Sequence, residues 1–288
     1  MDSIVTRITL FALAALASGC AEDPPEFSGG LYFAAGNYLA ELDLRNGDTR
    51  VIASIGDDTI VELAPQGDER LLLTVFGEVN RQDVHSLVLF DLASKQQLRF
   101  FAGRKGRYLP DTDVLVYDEG RQILVKRREG NTWETIEVAS HDYRVSVEII
   151  PIAATSFLYA IGDDPARIFD LSTATSTVPG LAEHCTLDGA VWASALDGLL
   201  CRGSEEPGVY ILVSLDGEVM ETLALPEERP FTAVAYAADQ DIVILTERWQ
   251  SLVSERPQYA IWVHHRNTKE TYRLVENQHL GNTVVYRP

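Results

Sequence analysis

Basic side chains are scarce in this chain: 24 Lys and Arg stand against 43 Asp and Glu, a formal charge of −19. That balance argues against nucleic acid as a partner and against docking of the body on an anionic lipid surface. Cysteine is rarer still, with three in 288 residues and no C-x-x-C pair. There is no G-x-S-x-G elbow, no H-E-x-x-H and no P-loop, so the commonest nucleophilic, zinc-peptidase and nucleotide-binding signatures are missing. Helical periodicity is lacking beyond the first nineteen residues, and no later segment is long and apolar enough to cross a bilayer.

What is there first is an N-terminal leader. Arg7 precedes an apolar run from Ile8 to Leu16, and small Ala17, Ser18 and Gly19 lead to Cys20. The apolar run is about half of the roughly 20 residues a span needs, and the order of basic, apolar and small residues is that of an export signal. Ala17-Ser18-Gly19-Cys20 resembles the lipobox of bacterial lipoproteins, with Leu16 one place earlier than the usual leucine. The resemblance implies cleavage after residue 19 and palmitate-type acylation of Cys20, which anchors the mature chain in a membrane. Ala21 in place of Asp implies sorting to the outer membrane in a Gram-negative cell. The expected organisation is a signal peptide over 1–19, a Pro-bearing tether over 20–29 and a body over 30–288.

The body repeats. Six segments read as strand, polar turn and strand, and their anchors (Asp43, Asp91, Lys126, Asp170, Ser214 and His264) recur at a mean spacing of about 44 residues. Asn46-Gly47, Asp216-Gly217 and Gly130-Asn131 suit the turns, which demand positive φ. A further strand precedes each hairpin, and an innermost strand precedes that in units two to six: TIVELAP, GRYLP, SVEIIP, GAVWAS and TAVAYAA. The first unit lacks an innermost strand, while the chain ends in an orphan, NTVVYRP. Ring closure explains both: an all-β, six-bladed propeller of four-stranded blades, whose C-terminal strand completes the first blade and protects sheet edges. This pattern resembles TolB-type propellers over 30–288. Lys126 to Trp133 shares Gly130, Thr132 and Trp133 with the Asp-box hairpin of sialidase-type propellers but not its Ser and Asp, so it speaks for the hairpin only.

Candidate chemistry is sparse. The stretch from Asp111 resembles a calcium loop, yet Leu115 stands where an oxygen ligand belongs. His264 and His265 are adjacent and point to opposite faces of a strand. His184 beside Cys185 makes an incomplete metal pair. Cys185 and Cys201 remain once Cys20 is acylated, and two readings fit: a disulfide in an oxidising compartment, or two buried thiols.

One constellation stands out. Glu62, Arg107 and Glu148 each lie three residues before Pro65, Pro110 and Pro151 on consecutive innermost strands, where Val191, Val234 and Val285 occupy the other blades. An inter-blade ion-pair ladder with the guanidinium between two carboxylates fits, and so does a channel site for a polar ligand or divalent cation, as in lactonase-type propellers. A second surface gathers Arg81, Arg104, Lys105, Arg107, Arg121, His141 and Arg144 on the loops of one face, with Trp249 and Leu252 on a long loop of that face. The expectation is a lipid-anchored envelope module that binds a protein, peptide or carbohydrate, with no cofactor and no catalytic residue assigned. A metal-assisted hydrolase or lactonase is the alternative.

Overall fold

The computed structural model describes residues 27–79, 82–129, 132–142, 145–183, 185–203, 209–225, 231–250, 257–277 and 284–288. The leader, the lipobox and Cys20 lie outside the described residues. Among the described residues, twenty-four strands form six antiparallel sheets of four, the blades of a propeller. The innermost strand of blade 1 is Val284–Arg287, followed outward by Gly30–Ala35, Tyr38–Asp43 and Thr49–Ser54. Blades 2 to 6 start at innermost strands Thr59–Gln66, Arg104–Tyr108, Val147–Ala153, Cys185–Ala193 and Phe231–Ala237, and run outward in chain order. Among the described residues the only helical turns are the short 3-10 segments Gly180–Glu183 and Ser194–Leu196.

The strands of a blade are apolar on both faces, because each face walls a different core. In Gly30–Ala35, Leu31 and Phe33 pack with Ile242 and Ile261 of blade 6, while Tyr32 and Ala34 pack with Leu71 and Phe90 of blade 2. Six such cores occur, one in every gap between neighbouring blades. This explains why middle strands such as RLLLTVF are continuous apolar runs where a half-solvated strand would alternate.

Closure occurs in blade 1. Gly30, Leu31, Tyr32 and Phe33 pair with Arg287, Tyr286, Val285 and Val284. Phe27 and Ser28, read from the sequence as the end of a tether, belong to the body. Phe27 is 4% exposed and meets the Tyr272 ring edge-on at 5.9 Å. The Ser28 N–H donates to Gln240 Oε1 at 2.8 Å, and Gln240 Nε2 donates back to the Ser28 carbonyl at 2.9 Å.

The turns between third and outermost strands show why aspartate recurs at the repeat anchors. Oδ1 of Asp43, Asp91 and Asp170 accepts the backbone N–H of Arg45, Ser94 and Ser172 at 2.9, 2.7 and 2.7 Å, an Asx turn each time. Hydrogen bonds from Ser94 and Ser172 hold the Asp91 and Asp170 carboxyls below their ordinary range. Glycine supplies the left-handed residue at Gly47 and Gly217, but Lys95, Ala174 and Lys269 adopt it in blades 2, 4 and 6.

These turns, with those joining first to second strands, form one face of the disc, the turn face. Loops between second and third strands and the connections between blades form the opposite loop face.

If blade 1 seals the ring, a chain ending at residue 283 loses a ladder and the burial of Val284 and Val285, a cost of about 3 kcal/mol or more. Thermal unfolding should show a large fall in Tm or an insoluble product. A truncated protein melting with the full-length chain would contradict the closure.

Candidate functional site

Glu62 is carried at the middle of its innermost strand, opposite Thr74 and just after a bulge at Val61, and is 8% exposed. The Arg107 guanidinium reaches across from blade 3. Its Nη2 donates to Glu62 Oε1, and its Nη1 donates to the Gly106 carbonyl at 2.8 Å. Arg107 makes no ion pair with Glu148 in the structure, so the expected guanidinium between two carboxylates is not formed. Lys105 takes that place. Its ammonium lies 3.1 Å from Glu148 Oε1, 3.4 Å from Oε2 and 4.0 Å from Glu62 Oε1. The local backbone is the cause: the pairing register slips between Arg104 and Arg107, and Lys105 has φ of 55°. A bulge in that conformation re-aims a side chain, here into the channel between blades 2 and 4.

Both carboxyls are substantially buried, yet they titrate in opposite directions. Burial pushes Glu62 up, but Arg107 and Lys105 outweigh it and hold the carboxyl below its ordinary value. Burial also pushes Glu148 up. Lys105 opposes this only in part, and Asp188 and Glu62 add to it, so Glu148 sits above its ordinary value. Asp188 reaches the channel through a bulge between Thr186 and Val191 in blade 5, which the left-handed Gly189 permits. Val191 and Val285 line the channel as expected, and Val234 stands at a bulge in blade 6. The channel cavity measures about 1500 Å³, is open to solvent and is walled by all six blades.

Towards the loop face the charges continue. Asp118, fully buried, accepts from Arg104 Nε at 2.7 Å and lies 3.0 Å from His141 Nε2. His141 Nδ1 approaches the Asp142 carbonyl at 2.9 Å, and the His141 N–H donates to the Arg121 carbonyl at 2.8 Å. Asp118 therefore ties the start of blade 3 to the connection that leaves it. Burial, with Arg104 nearby, lowers the pKa of His85 at the same cavity. The loop cluster read from the sequence is not formed as such. Arg104 and Lys105 belong to the innermost strand Arg104–Tyr108, with Arg104 on Asp118 and Lys105 aimed into the channel. His141 is buried against Asp118, and Arg121 is exposed between the second and third strands of blade 3. Arg81, Arg144 and Leu252 lie outside the described residues. Trp249 falls in the strand Ile242–Gln250, with its side chain outside the description.

The remaining candidates find other roles. Cys185 and Cys201 are joined by a disulfide across the innermost and second strands of blade 5, which closes the choice left open above. The stretch from Asp111 is a turn followed by the strand Leu115–Glu119, so Leu115 is core and Asp118 belongs to the ion pair. Lys126 sits over the Phe101 and Tyr117 rings, 4.7 and 5.4 Å from their centroids, and Trp133 meets Phe101 edge-on. That hairpin wedges blade 3 against blade 2. His264 is buried with Nδ1 2.9 Å from Thr271 Oγ1, and burial lowers its pKa. His184 lies outside the described residues. Asp188 and Asp118 were missed: the first depends on a bulge, the second on a contact across strands, and neither leaves a local pattern.

The two glutamates give opposite pH signatures. Glu62, with its pKa depressed, stabilises the fold above its unfolded pKa, and that contribution is lost as pH falls through the folded value. Glu148, with its pKa raised, favours the fold in its neutral form, and that contribution is lost as pH rises through the folded value. Glu62→Gln should therefore cost about 2 kcal/mol at neutral pH and less in acid. Glu148→Gln should be neutral or stabilising at neutral pH. Urea unfolding at about pH 7 and about pH 4 checks both, since ordinary carboxyls titrate near the lower value. Equal losses in the two variants at neutral pH would contradict the assignment.

No protein-family model matches the chain, and no curated protein matches it in sequence. Solved structures share its architecture. A TolB candidate from Agrobacterium tumefaciens is 12% identical over 90% of this chain and 98% of that one, with a TM-score of 0.60. A protein from Lactobacillus plantarum is 8% identical over 91% and 100%, at 0.54. The β-propeller domain of Cps50 (Swd1) from Myceliophteria thermophila is 13% identical over 88% of each chain, at 0.52. At these identities the likeness is one of fold alone, that of a β-propeller.

Proposed function

We propose that the protein is a lipid-anchored cell-envelope module that binds a polar partner, protein or peptide, at its channel and loop face. The observation that carries this reading is the neutralisation of both channel glutamates within the chain, Glu62 by Arg107 and Glu148 by Lys105. Paired charges around an open volume of about 1500 Å³ offer donors and acceptors to a polar ligand. Among the described residues no three His, Cys, Asp or Glu side chains converge as metal ligands. The lipobox at Ala17 to Cys20 supports the anchor, and Ala21 supports the outer membrane as destination.

A hydrolase reading has one observation in its favour: two carboxyls pushed to opposite sides of their ordinary pKa beside one ammonium resemble an acid and base pair. Thermal shift separates the two. Under the binding reading, added calcium or manganese leaves Tm unchanged. A rise that disappears in Glu62→Gln favours metal-assisted hydrolysis.

The binding reading is tested in the native cell. Wild-type protein should fractionate with membranes and Cys20→Ala should be released. A photo-cross-linker at position 105 or 121 should capture one discrete partner. An intact, anchored protein that captures nothing from either position overturns the reading.

A further inference from the structure

The point where the chain enters the body is fixed. Phe27 is clamped against Tyr272, Ser28 is held by Gln240 through two hydrogen bonds, and the Gly29 carbonyl accepts the N–H of Leu44 at 3.0 Å. Gln240 lies in the turn between the first and second strands of blade 6, and Leu44 follows the third strand of blade 1. Both belong to the turn face. The chain therefore leaves the disc from that face, opposite Arg104, Arg121 and His141.

Distance then limits what an anchor at Cys20 permits. The seven residues from Cys20 to Phe27 reach about 25 Å at most when fully extended. The disc is about as thick, since the eight-residue strand Thr59–Gln66 alone spans roughly 26 Å. To bring the loop face to the bilayer, the tether must travel outward along the turn face, round the rim and up that thickness. It is too short.

We propose that the turn face is the membrane-facing side of the anchored protein, its partner there the headgroup surface of the anchoring leaflet. The loop face, with the mouth bearing Arg104 and Lys105, is then turned away and left to a partner that approaches from the aqueous side. The inference rests on acylation of Cys20, and adds to it a direction. The turn face carries carboxylates at Asp48, Asp68, Asp113, Asp197 and Asp216, so charge does not draw it onto anionic lipid. Tether length alone sets the orientation, which should be insensitive to salt.

With Cys185 and Cys201 bonded, Cys20 is the single free thiol of a chain spanning residues 20–288. That thiol can be coupled to a maleimide lipid in phosphatidylcholine vesicles. A dye is installed through a non-natural amino acid at position 113 or at position 121, exposed sites on opposite faces of blade 3. Energy transfer to a headgroup acceptor should be severalfold stronger from 113 than from 121, and unchanged by added salt. Equal transfer from both, or stronger transfer from 121, overturns the orientation. The anchor is judged separately by release of Cys20→Ala from cell membranes. Release with equal transfer sinks the orientation alone, and retention of that variant sinks the anchor whatever the vesicles report.

Discussion

Every blade of this protein is buried on both faces, and the rest of the structure follows from that. A four-stranded sheet with two apolar faces cannot stand alone in water; it needs a neighbour on each side. A row of such sheets leaves two faces bare at its ends, so only a ring satisfies them all. The six cores between blades are the six contacts of that ring. The channel is what remains where six innermost strands converge, and side chains aimed into it meet neighbours from other blades. That is why the charges of blade 3 find their partners on blades 2 and 4.

Within the channel, backbone irregularity decides chemistry. A regular innermost strand on blade 3 would send alternate residues inward, and Arg107 was expected to serve both glutamates. The slip at Lys105 and Gly106 puts two cations at the same crossing, so Glu62 is shared and Glu148 is served by lysine. Two carboxyls at one crossing consequently titrate apart. Bulges in blades 2 and 5 act in the same way on Glu62 and Asp188.

The fold was legible in the sequence because its determinants are local and repeated. Apolar runs of strand length, turn residues after Asp43 and Asp91, and an orphan terminal strand specify blade, order and closure without reference to distant contacts. The site was legible only in part. Glu62, Arg107 and Glu148 were placed on adjacent strands correctly, since register from Pro65, Pro110 and Pro151 follows strand length. Partner assignment failed because a single positive φ at a lysine leaves no mark on a hydrophobic pattern. Asp118 and His141 were invisible as a pair for another reason: 23 residues separate them, and only the return of the outermost strand brings them within 3.0 Å.

The strand that receives the N-terminal entry also has a mechanical meaning. Gly30–Ala35 is hydrogen-bonded on one side to Tyr38–Asp43 and on the other to Val284–Arg287, so it is an interior strand of its sheet. A pull applied at residue 27 loads two ladders at once, in shear along the strand rather than by peeling an edge. Whatever holds this chain by its N-terminus thus holds it through the sheet that fastens the ring, and the same ladder that joins the two ends of the chain bears the load.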